Sequence, residues 1–174
     1  MSLLAPAPLV ERLCVDCGLC CDGRLFRDVK LRSSDGPRRL RRLGMEVEMH
    51  GASSRLLQPC AAFDGSRCGV YIDRPGLCRT FECHLLRRVA RGALSLAEAR
   101  RTIVRARRLA KGLEAELAVR PSAGPDRSLL GRYAEAMSRP IDLGTDAAAS
   151  GRRGRLARRV ERYQAFVHAE FLGV

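Results

Sequence analysis

Cys14-Val-Asp-Cys17-Gly-Leu-Cys20-Cys21 is the stretch from which the rest of the chain is read. Two C-x2-C steps overlap and end in a doublet. Cysteines two residues apart can set both sulfurs on one ion, about 2.3 Å away, from a single turn of backbone. After 38 further residues comes a second group, Cys60, Cys68, Cys78 and Cys83, spaced C-x7-C-x9-C-x4-C. The remaining 91 residues hold no cysteine. The pattern predicts that all eight cysteines are metal ligands or line the metal site, and that the two groups converge in space.

An even number of cysteines also admits a disulfide framework. The N-terminal MSLLAPAPLVERL lacks the basic start and long apolar stretch of a secretory signal. No stretch reaches the roughly 18 apolar residues of a membrane span. The expected setting is therefore the cytoplasm, where thiols stay reduced and clustered cysteines more often bind metal. Adjacent Cys20 and Cys21 would also bridge each other poorly.

With 174 residues the chain is long enough for one core and short for two. It is 46% hydrophobic but only 5% aromatic, without Trp, so burial must rest on Leu, Val and Ala. A metal core can supply what a thin apolar core lacks. The net charge of +13 suits nucleic acid, anionic lipid or an acidic protein. That charge is not segregated: residues 1–91 hold 16 basic and 10 acidic groups, residues 92–174 hold 16 and 9. The bias to 30 Arg over 2 Lys resembles the usage of a GC-rich bacterial genome. Four thiolates around Zn²⁺ carry about −2, so Arg24, Arg67, Arg74 and Arg79, beside the cysteines, can balance the site. Nucleic-acid binding is expected to be weak and non-specific at most.

Outward from the cysteines, residues 1–13 read as a loose arm and 14–24 as a cysteine-bearing loop. Short strands are expected at Phe26–Leu31, around Met45–Met49 and at Ser53–Gln58, with a helix from Arg38 to Leu43 closed by Gly44. Asp64-Gly65-Ser66 signals a turn. A helical turn follows Pro75, and Cys83–Arg91 reads as helical. Ser95-Leu-Ala-Glu98 is a capping box opening a helix toward Pro121. Its Arg100, Arg101, Arg105, Arg107, Arg108 and Lys111 read as a solvated face. Residues 121–126 read as a linker, 128–138 as a helix, and 142–154 as a mobile Gly/Ala-rich stretch. A last helix over 155–172 carries Leu156, Val160, Tyr163, Phe166, Val167 and Phe171 as its apolar stripe. The expected fold is small α+β: an irregular, metal-stapled cysteine-rich half with short strands (1–91) and a helical half (92–174) packed on it.

Taken together, Cys14–Cys21, Gly18, Pro59-Cys60, Cys68, Tyr71, Arg74-Pro75, Cys78-Arg79, Phe81 and Cys83 resemble the bacterial CxxCxxCC cysteine-cluster family, described as a zinc- or iron-chelating domain. The resemblance covers about 70 residues and implies eight cysteine ligands in a cytoplasmic bacterial protein. A related domain occurs in flagellin lysine N-methylases, which are larger proteins, so a metal-dependent protein-modifying enzyme is one alternative. A basic zinc module for nucleic acid is another.

Read directly, Gly18 permits backbone angles that turn the loop around a metal. Arg74 and Arg79 can donate to thiolates, while Tyr71 and Phe81 can shield them. His84 follows Cys83 and could replace a cysteine as ligand; His50 and His168 are isolated. No nucleotide-binding glycine loop, H-E-x-x-H or G-x-S-x-G occurs. Eight thiolates satisfy two Zn²⁺. Cys14, Cys17 and Cys20 also match the start of a bacterial ferredoxin run, without its terminal C-P. Zinc and iron, including an iron–sulfur cluster, both remain open, as does any catalytic role.

Overall fold

The computed structural model describes residues 9–118, 127–138, 140 and 151–173. The expected linker at 121–126 and most of the expected mobile stretch lie outside these residues. The architecture is small α+β, with a three-stranded sheet on the N-terminal side and a helical C-terminal half.

The described residues open with helix α1, Leu9–Cys17, where the sequence suggested the end of a loose arm and the start of a loop; residues 1–8 of that arm lie outside the described residues. Leu9 and Leu13 lie one turn apart, and both pack on the helical core, Leu13 fully buried. That tertiary contact makes a helix of nine residues worth forming, since isolated short helices are marginal in water. Gly18 ends it with φ +63°, and its N–H donates to Cys14 O at 3.1 Å. The left-handed closing residue is the ordinary role of glycine at a helix end.

Strands β1 (Asp28–Leu31), β2 (Val47–His50) and β3 (Ser53–Leu57) form one antiparallel sheet in the order β1-β3-β2. Leu56 stands opposite Val29 on one side and Val47 on the other. Period-two alternation points Leu31, Val47 and Leu56 into a small core completed by Leu40 and Met45. Leu40 comes from helix α2, Pro37–Arg42, started by proline and followed by Gly44 at φ +81°. After β3 come two short helices, α3 (Gly76–Thr80) and α4 (His84–Ala90).

The capping box is realised. Glu98 N donates to Ser95 Oγ at 3.2 Å, and Ser95 N to the Glu98 carboxylate at 2.8 Å. Helix α5 runs Leu96–Ala118 and buries Ala99, Ile103, Ala106, Ala110, Leu113 and Leu117. It packs against α1, α4, α6 (Leu129–Ser138) and α7 (Arg152–Val167). Helix α7 starts at residue 152, inside the stretch expected to be mobile, and relaxes into a wide turn at His168–Leu172. Its stripe is buried as expected except Phe166, which is half-exposed under the Arg105 guanidinium, 4.6 Å from the ring centre.

The larger core is continuous across both halves: Leu13, Leu19, Leu25, Leu85 and Leu86 join the buried faces of α5, α6 and α7. Polar contacts repeat the connection. Leu129 N donates to Gly23 O at 2.9 Å, and the Tyr163 hydroxyl to Arg24 O at 3.1 Å. One polar clasp holds α3. The buried Asp35 carboxylate accepts from Gly76 N and from Arg32 N, each at 2.7 Å. Asp35→Ala should lower unfolding free energy by about 2 kcal/mol, the range for losing hydrogen bonds to a buried charged acceptor. Asp35→Asn should lose less. Urea titration of both variants checks the order.

Candidate metal centre

The cysteines stand where the sheet meets the helical core. Cys14 and Cys17 lie on α1, three positions apart and therefore on one face. Cys20 and Cys21 follow in the turn beyond Gly18. Cys60 N donates to Cys21 O at 2.7 Å, so the two sequence groups meet backbone to backbone. The 60–68 segment then folds back on itself. Gly69 N donates to Ala62 O at 2.7 Å, and Phe63 pairs with Cys68. The expected turn closes this loop: the Asp64 carboxylate accepts from Ser66 N at 2.8 Å and from Arg67 N at 2.6 Å. Cys78 is on α3. Cys83 caps α4, its sulfur accepting from Leu86 N at 3.3 Å.

Two glycines let these loops approach. A Cβ on Gly18 would stand 2.4 Å from the Phe63 ring, and Gly18 also has φ +63°. A Cβ on Gly23, at φ +77°, would stand 3.0 Å from Pro59. Each glycine thus admits the segment carrying Cys60.

All eight cysteines are free thiols, seven of them half-buried and Cys14 exposed. Desolvation of the sulfurs pushes Cys14, although the residue as a whole is exposed, up to about 11 and Cys17 up to about 12, with Cys83 adding to both. Burial raises Cys20 well above the ordinary thiol value, with Cys17, Cys83, Cys21 and Cys14 adding. Cys21 is pushed up to about 12 by burial and then by Cys60, Cys78 and Cys68. Burial likewise takes Cys78 to about 11 and raises Cys60 and Cys83. Mutual repulsion of this kind belongs to sulfurs held close together. Among the described residues, no three His, Cys, Asp or Glu side chains are already drawn into an ion-holding arrangement. Each sulfur swings on one torsion among staggered positions, and an ion held among them would displace their protons. The donor set, all soft sulfur, fits zinc and iron.

Beside the cysteines is a cavity of about 1140 Å³. Cys14, Cys20, Cys21, Cys60, Cys68 and Cys78 line it, with Phe26, Phe63, Tyr71 and Phe81. Tyr71 and Phe81 remain 44% and 42% exposed, so they wall the cavity rather than seal it. Arg74 also lines it, its guanidinium 3.6 Å above the Tyr71 ring centre and close enough to favour the Cys14 and Cys78 thiolates. Arg79 is exposed on α3. Arg67 lines the cavity, whereas Arg24 is engaged by Glu114 at 2.8 Å and Asp22 at 3.1 Å. His84 lies against Gly173, where an added Cβ would come 2.7 Å from Nδ1. His50 pairs with Glu48 at the surface.

Sequence reasoning passed over four residues here. Phe63 fills the space that Gly18 leaves. Arg107, from α5, donates to Cys17 O at 2.8 Å. Arg87 lines the cavity and favours the Cys83 thiolate. Asp35 positions α3. Only Phe63 gave a signal, as a large aromatic between two cysteines in a chain poor in aromatics.

Six of the eight thiols line one cavity, a soft donor set that suits metal chelation. The CxxCxxCC model, described as "Putative zinc- or iron-chelating domain", matches residues 13–105, just over half of the chain. The chain belongs to the CxxCxxCC family. No curated protein and no solved structure matches it.

Two predictions follow from this geometry. Gly18→Ala places a side chain at a positive φ and against Phe63, so stability should fall by about 2 kcal/mol, measured by urea titration. The second concerns pH. In the metal-free fold Cys14, Cys17, Cys21 and Cys78 titrate near 11 to 12, against 9.0 in the unfolded chain. The unfolded state therefore sheds protons first as pH rises. Metal-free protein should keep its full stability below pH 9 and lose it progressively up to pH 12, followed by thermal melts across that range. Metal-loaded protein, already deprotonated at sulfur, should not show this loss.

Proposed function

We propose that this chain is a metal-binding protein in which Cys14, Cys17, Cys20, Cys21, Cys60, Cys68, Cys78 and Cys83 chelate zinc or iron, with the helical half as the scaffold that holds them. The observation that carries the reading is the Cys60 N to Cys21 O hydrogen bond, which brings together cysteine groups 38 residues apart in sequence. Bound zinc would act as a structural cross-link, and an iron–sulfur cluster would add one-electron chemistry. Reduced thiols fit a cytoplasmic bacterial setting. No helix among the described residues is long and apolar enough to cross a membrane.

The protein's own residues do three things at this centre. Gly18 and Gly23 let the loops close. Arg74 and Arg87 offset negative charge as thiols deprotonate. Leu13, Leu19 and Leu85 keep water from the helical side of the sulfurs. Anaerobic purification with elemental analysis and a visible spectrum tests the assignment. Stoichiometric zinc without colour indicates the structural role, and iron with sulfide and a broad visible band indicates the redox role. Protein that folds fully while rejecting both metals opposes the proposal.

A second reading, a metal-dependent protein-modifying enzyme like the flagellin lysine N-methylase branch, draws on the cavity. Its 1140 Å³ far exceeds the volume of an ion. Glu82 lines it, as does Gln58, whose buried Oε1 has no hydrogen-bond partner among the described residues. Asp16 instead pairs with Arg100 at 3.1 Å, and Asp73 pairs with Arg39. Methyl transfer to flagellin lysines by the metal-loaded protein would establish this reading.

For nucleic acid we propose weak, non-specific binding only. Arg100 is paired with Asp16, Arg105 stacks on Phe166, and Arg107 bonds the backbone of α1. Binding to duplex DNA should fall steeply between low and physiological salt, measured by fluorescence anisotropy.

Cys17→Ser and Cys78→Ser should each reduce bound metal and lower the melting temperature, while α5 keeps much of its helical signal. Metal binding in small modules contributes on the order of 10 kcal/mol to folding. Metal analysis and circular dichroism on purified variants check both effects.

A further inference from the structure

We infer that the eight cysteines form two four-thiolate sites sharing no ligand: Cys14, Cys17, Cys20 and Cys83 on one, Cys21, Cys60, Cys68 and Cys78 on the other. The inference rests on the metal-chelating reading and goes further, because sequence order would divide the cysteines differently. Each sequence group instead gives three ligands to one site and one to the other. Cys83 crosses to the first group and Cys21 to the second.

The division follows the two cores. Helix α1, carrying Cys14 and Cys17 on one face, packs against α4, whose first residue is preceded by Cys83. Cys17, Cys20 and Cys83 all lie against the helical core. Cys60 lies against the sheet core. Cys21 is joined to Cys60 by the backbone hydrogen bond, and the folded 60–68 loop returns Cys68 to the same place. Helix α3, carrying Cys78, packs on β1 of that sheet. The doublet is the seam. Successive side chains leave a backbone in different directions, so Cys20 and Cys21 can serve opposite sides of one peptide.

The electrostatic neighbours agree with this sorting. Cys17 feels Cys83 and Cys14, while Cys78 feels Cys60 and Cys68. Cys21 feels Cys60, Cys78 and Cys68. Cys20 feels the first set and, across the seam, Cys21. The chemistry expected at each place is tetrahedral coordination of a thiophilic ion, or of one cluster, by four sulfurs. Nothing in the division requires the two occupants to be the same metal.

Cadmium-113 is a suitable probe, being a thiophilic ion visible by NMR. The full chain, loaded with cadmium alone, should hold two equivalents and give two signals without cadmium–cadmium coupling. The double variants C17S/C83S and C68S/C78S should each keep one equivalent and one signal, a twofold loss. Coupled signals would reveal a shared sulfur and overturn the division, as would loss of all cadmium from either folded double variant. Should a double variant not fold, the single variants C17S and C83S decide: the division predicts that both disturb the same signal, and disturbance of different signals overturns it. An unmutated chain that folds yet takes up no cadmium would instead reject the metal-chelating reading itself.

Discussion

Sulfurs crowded together and partly withdrawn from water govern this molecule. Eight thiols are gathered at the junction of a three-stranded sheet and a helical core, and seven of them are half-buried. As thiols they are tolerable neighbours. As thiolates they repel one another and have lost much of their hydration, so they resist ionising. A cation reverses that balance. Bound among them, it would supply the charge that burial withholds and turn repelling groups into common ligands.

The fold is arranged to make this crowding possible. The backbone of Cys21 meets that of Cys60, and glycines at 18 and 23 leave room for Phe63 and Pro59 to approach. Helix α5 stands behind the centre. It buries its small and leucine side chains against α1 and α4 while Arg107 reaches over to the end of α1. Four arginines are engaged within the fold: Arg100 on Asp16, Arg24 on Glu114, Arg159 on Glu116, and Arg107 on the carbonyl of Cys17.

Features governed by local rules were legible in the sequence. The capping box at Ser95, the period of α5, the stripe of α7 and the alternation of Met45 and Val47 mark their elements because propensity and burial agree there, although Met49, next in that period, is exposed. Helix α1 was not legible, since only its contact with a distant core makes nine residues hold. The cysteines themselves stood out. Their neighbours did not: Arg107 comes from 90 residues away in sequence, and the Asp35 clasp spans 41. Proximity in sequence also misdirected. Arg24 lies beside the doublet yet belongs to Glu114, and His84 adjoins Cys83 yet lies against Gly173.

The central claim is that sulfur alone surrounds the metal. X-ray absorption at the zinc or iron edge of protein purified without oxygen tests it directly. The account predicts a first shell of sulfur only, at about 2.3 Å. A shell containing nitrogen or oxygen ligands, or a metal whose first shell is unchanged when the cysteines are alkylated, would contradict it.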